Sequence, residues 1–85
     1  MTDITLKLSG IEVRQILDGL LQMGYDNGNR ADAEELRLIE CQLDENEIGE
    51  AMASARLKSA RDHQKAAYSA YDKVKTEAMR LGLIS

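Results

Sequence analysis

No proline occurs anywhere in the 85 residues, so at no position is an intrahelical hydrogen bond removed or a ring forced against the preceding turn. Ala, Leu, Glu, Lys, Arg and Gln are abundant, and these are the residues that lose least on entering a helix. Helix is therefore the default. Large side chains that would fill a core are scarce, because there is no Trp or Phe and only Tyr25, Tyr68 and Tyr71 are aromatic. Leu, Ile, Met and Ala must do the packing. A chain this short forms one domain, residues 1–85, and buries only about two-thirds of the surface its unfolded state exposes.

One cysteine, Cys41, excludes an internal disulfide, which points to a reducing compartment and a cytoplasmic location. The N-terminus lacks the basic start and apolar core of a signal peptide. No apolar run approaches the ~20 residues that span a bilayer, so a membrane is not expected as a partner. The net charge is −4, yet charge is segregated: residues 26 to 50 hold nine acidic and two basic side chains, residues 51 to 85 seven basic and three acidic. Opposite charge favours folding the acidic middle back on the basic C-terminal third.

Periodicity supplies the elements. Ile4, Leu6 and Leu8 alternate with Thr5 and Lys7, the period of a short strand or extended arm. Ser9 and Glu12 form a capping box, after which Val13, Ile16, Leu17, Leu20 and Leu21 share one face. That helix should end near Gly24, because Tyr25 to Asn29 is rich in residues that favour turns. Asp32 and Glu35 look like a second capping box, opening a helix with Leu36, Ile39 and Leu43 on its stripe. Asp44 and Glu47 look like a third, with a turn between Asp44 and Asn46. From Ile48 the apolar set Met52, Ala55, Ala60, Ala67, Ala70, Tyr71, Val74, Ala78 and Leu81 runs on without a breaker.

The fold expected is thus mainly α: three helices, about 10–23, 33–43 and 47–82, with a short N-terminal strand or arm, arranged as a helical hairpin or bundle with a long C-terminal helix. Such a helix is about 50 Å long and would overhang two shorter ones. Its uncovered end predicts a homo-oligomer with a seam of Ala67, Ala70, Val74, Ala78 and Leu81, where small side chains allow close approach.

Chemistry-bearing patterns are few. The phosphate-loop glycine patterns, H-E-x-x-H and C-x-x-C are absent, and with one His and one Cys a metal site would need carboxylates or a second subunit to complete it. A Cys41 and His63 pair is conceivable as a nucleophile and base, but a lone helical cysteine is far more often inert packing. The sequence predicts no catalytic residue, cofactor or metal. Arg56 and His63 are one heptad apart and interrupt the apolar stripe, either as solvated positions or as a polar recognition site. Tyr68 and Tyr71 sit in an alanine-rich stretch suited to a partner helix. Lys58, Arg61 and Lys65 form an outward basic strip that is a candidate set of phosphate contacts, although Asp62 and Asp72 interrupt it and nucleic acid is disfavoured overall. The acidic cluster of Glu40, Asp44, Glu45, Glu47 and Glu50 is read as solubilising surface. The functional expectation is a non-catalytic helical protein–protein interaction module, in the manner of a regulatory adaptor or small inhibitor of a larger complex, that self-associates through its C-terminal helix. The alternative is a nucleic-acid-binding accessory protein.

Overall fold

The computed structural model describes residues 9–84, and the strand or arm expected at residues 4–8 lies outside them. Two helices of 34 residues each, α1 (Gly10–Leu43) and α2 (Glu47–Arg80), form an antiparallel hairpin. The expectation of three helices is corrected by this result. The break foreseen at Tyr25–Asn29 does not occur, and helix runs through it. Gly24, Asp26, Asn27 and Gly28 are accommodated because they find a use inside α1. Asn27 donates from Nδ2 to the Met23 carbonyl at 2.8 Å, and Gln22 donates to Asp26 at 2.8 Å. Gly24 lets α2 come close, since a Cβ there would lie 2.8 Å from Cδ1 and Cζ of the Tyr68 ring, whereas a Cβ on Gly28 would meet only the movable end of Gln64. Packing here outweighs a propensity loss of about 1 kcal/mol per glycine.

The capping assignments divide. Ser9 and Glu12 form the capping box as read, with Ser9 N–H donating to Glu12 at 3.0 Å and Glu12 N–H donating to Ser9 Oγ at 3.2 Å. Asp32 and Glu35 are interior to α1 and instead both accept from Arg61 on α2. The turn at Asp44–Asn46 is present, but Asn46 caps α2, accepting from Gly49 N–H at 3.0 Å. At this corner Asn46 N–H reaches Cys41 O at 2.9 Å and Glu45 N–H reaches Gln42 O at 3.3 Å, the paired bonds of a Schellman motif. Leu83 to Ala78 at 2.9 Å and Gly82 to Met79 at 3.1 Å repeat that motif at the end of α2. It folds Leu83 and Ile84 back onto the cluster of Val13, Leu17 and Ala78.

The seam keeps strict alternating steps of four and three, the signature of a coiled-coil-like contact. On α1 it runs through Val13, Leu17, Leu20, Gly24, Asn27, Ala31, Glu34, Leu38 and Cys41. On α2 it runs through Ala53, Leu57, Ala60, Gln64, Ala67, Tyr71, Val74 and Ala78. All of these are buried or half-buried. Ile48, Met52 and Ala55, expected to begin the α2 stripe, are exposed, because the seam steps past them. The overhang argument also fails, since α1 is as long as α2.

The molecule is 55 × 26 × 13 Å with a radius of gyration of 17.6 Å. A compact domain of this length would have about 12 Å. A hairpin one helix thick leaves both broad sides open.

Candidate functional site

Residues facing each other across the seam have numbers adding to 92 or 93: Gly10 with Leu83, Gly24 with Tyr68, Gly28 with Gln64 and Asp32 with Arg61. This register fixes what stands on each side.

One side carries a shallow groove of about 480 Å³ lined by Asp18, Leu21, Gln22, Tyr25 and Tyr68. Leu21 is 43% exposed and Tyr25 63%. Tyr68 crosses from α2 and lays its ring over Gly24, which is why the groove has a floor. Further along the same side Arg61 lies 3.2 Å from Asp32 and 3.4 Å from Glu35, with exposed Lys58 and Lys65 on either side of it. The basic strip anticipated from sequence is therefore partly neutralised within the chain. Asp18, Leu21 and Tyr25 were missed by the sequence reading. Their signal was the spacing of three and four on a face adjoining the seam.

The opposite side bears Ile16, Met23, Arg30 and Arg37 at every seventh residue of α1. On α2 the matching set is Arg56, His63, Ala70 and Glu77. Arg56 and His63 are exposed, off the seam and beside it. His63 Nδ1 is within 2.6 Å of the Ser59 carbonyl. Its level matches Arg30, so it stands roughly 16 Å along the axis from Cys41 at 1.5 Å per residue, and the pair conceived as nucleophile and base is not assembled. Cys41 is half-buried at the turn end.

Of the remaining residues singled out, Tyr71 is half-buried against the core cluster with Lys75 Nζ 5.8 Å from its ring centre. Ala67 and Ala78 are buried against α1, Ala70 and Val74 are half-buried, and Leu81 is exposed. Ala67 and Ala78 thus spend their surface inside the hairpin. Glu34 is the one buried charged side chain among the described residues. One of its oxygens is 3.6 Å from Arg37, while Oε2 has no hydrogen-bond partner.

Among the described residues no group of three or more His, Cys, Asp or Glu side chains is placed to hold a metal ion. No helix among them is long and apolar enough to cross a membrane. Comparison with protein-family models, with curated proteins and with solved structures gives no match.

Proposed function

We propose that this hairpin is a non-catalytic protein–protein interaction module that self-associates. The observation that carries the reading is an imbalance between what the fold buries and what it leaves out. Among the described residues the buried apolar set is Val13, Leu17 and five alanines, whereas thirteen large apolar side chains are exposed. Alanine contributes little area, so the seam alone is a weak source of stability.

Surface area gives the scale. The chain exposes 6462 Å², against about 5,050 Å² for a compact monomer of 9.5 kDa, an excess of about 1,400 Å². Hidden on two copies, that area falls in the range of obligate homodimers. A four-helix bundle made from two hairpins hides surface of this kind and covers a second side of each helix. A role as an adaptor or inhibitor would then use what remains exposed on the assembled bundle.

Binding to nucleic acid has less support. Asp32 and Glu35 hold Arg61 and would repel a phosphate brought to Lys58 and Lys65, and the acidic turn adds to that repulsion.

Size-exclusion chromatography with light scattering at micromolar concentration tests the reading. The expected mass is twice 9.5 kDa, with a melting temperature that rises with protein concentration. A fully helical species of single-chain mass, melting independently of concentration, overturns it.

A further inference from the structure

The two broad sides of the hairpin differ in how they would meet a copy of themselves. With a two-fold axis running along the hairpin, each α1 lies over the partner's α2, and residues whose numbers add to 93 come to the same level.

On the groove side α1 presents Asp18, Asp32 and Glu35, while α2 presents Lys75, Arg61 and Lys58 at the matching levels. All three pairs are opposite in charge. Tyr25 falls at the level of Tyr68, so two tyrosines from each chain, together with Leu21, converge on the axis. Arg14, Lys65 and Asp72 stand outside this match. On the other side the same operation brings Arg30 to the level of His63 and Arg37 to that of Arg56, so that one pair sets arginine against arginine and neither pair offers a carboxylate. Turning the copy so that α1 lies over α1 sets the groove-side carboxylates against their own helix and the cations of α2 against theirs. Like charges brought together exclude a wrong arrangement more than opposite charges add affinity to the right one.

Resting on the self-association proposed above, the geometry points to the groove side as the surface that takes a second copy, each α1 lying over the partner's α2 with Tyr25, Tyr68 and Leu21 at the centre. The apolar patch supplies the burial, and the charges choose the side and the orientation. Arg61 already reaches Asp32 and Glu35 in its own chain, so the ion cluster is doubled rather than replaced. Aromatic anchors in a central, desolvated patch are the usual source of interface energy.

Two experiments on the full chain separate this inference from the reading it rests on. In light scattering, Tyr25→Glu should convert the dimer to single chains with helicity retained, because Tyr25 is 63% exposed and takes no part in the seam. Met23→Glu, on the opposite side and 55% exposed, should leave the mass doubled. A native chain that is monomeric overturns self-association and this inference together. A native dimer split by Met23→Glu and not by Tyr25→Glu overturns the choice of side alone. Orientation, and the case in which Tyr25→Glu loses its helicity, are decided by cross-linking in a Cys41→Ser background. Mixed Ile39→Cys and Ser54→Cys chains should oxidise to the mixed disulfide at least tenfold faster than Ile39→Cys chains pair with each other. Equal or reversed rates overturn the proposed arrangement.

Discussion

Gly24 on α1 lies directly under the ring of Tyr68 on α2: a Cβ there would stand 2.8 Å from the ring's Cδ1 and Cζ. Both atoms belong to a rigid ring, so the contact cannot be relieved by the end of a flexible chain. Gly24→Ala gains about 1 kcal/mol of helix propensity, but overpacking of this kind costs about 1–3 kcal/mol. The net expectation is a loss. Gly19→Ala is the reference, because a Cβ at Gly19 meets nothing within 4 Å, and it should stabilise by up to about 1 kcal/mol. Urea denaturation of both variants at one protein concentration checks the opposite signs, and equal stabilisation would show that Tyr68 yields.

That glycine also explains how much of the fold could be read beforehand. The cap at Ser9, the turn at Asp44–Asn46 and the helical character follow from local chemistry, and local chemistry is legible in a single chain. The middle of α1 was misread because Gly24, Asn27 and Gly28 are turn formers when judged locally, and only the approach of Tyr68 and Gln64 makes helix the better state there. Part of the seam was misread for a related reason. Ala60, Ala67, Tyr71, Val74 and Ala78 stood on the expected stripe and do line the seam, but Ala53, Glu34 and Gln64 did not, because a search for large apolar residues is drawn to Ile48, Met52, Leu36 and Leu43, which face outward. Steps of four and three through small residues carried the register all along. The groove side became visible only once α1 was continuous, since it joins residues 18–25 to Asp32 and Glu35.

Glu34 holds a place in the seam that packing would give to an apolar residue. Its Oε2 is without a partner and Arg37 approaches only the other oxygen. A buried polar group left unpaired costs about 1–3 kcal/mol. Glu34→Leu is therefore expected to raise the unfolding free energy by an amount of that order, read by chemical denaturation at fixed protein concentration. A loss of stability would mean that the carboxylate is engaged in the assembled protein.

Acid should weaken the helix ends before the seam. Hydrogen bonds from Ser9, first its backbone N–H and then its hydroxyl, hold the Glu12 carboxyl below its ordinary 4.5. The hydrogen bond from Arg80 does the same for Glu77. A carboxyl with a lowered folded pKa contributes stability that is complete above the ordinary value and is lost as pH falls through the lowered one. From pH 7 to about 5 these two contributions should be constant, and below about 4.5 they should decline. Glu12→Gln with Glu77→Gln should flatten that acid limb relative to the native chain in melts at pH 3, 4, 5 and 7. Parallel curves would show that other carboxyls set the acid response.

Glu45 occupies the left-handed position of the hairpin turn with φ 56°, where the corresponding position after α2 is Gly82 with φ 73°. The two corners use the same pair of hydrogen bonds, so the comparison isolates the side chain. An L residue held in this region costs about 1–2 kcal/mol, part of which glycine returns through its greater freedom in the unfolded chain. Glu45→Gly is therefore expected to stabilise by about 1 kcal/mol, a rise of roughly 4–8 °C in melting temperature for a domain of this size. Glu45 also sits beside Asp44 and Glu47, and removing its charge relieves repulsion at the turn. Glu45→Ala separates the two effects, because it removes the charge while keeping a Cβ at positive φ. Glycine should exceed alanine at both low and high salt if backbone strain is the cause. Equal gains that vanish near 1 M salt, where the screening length is about 3 Å, would assign the effect to charge and leave the left-handed turn without a measurable cost.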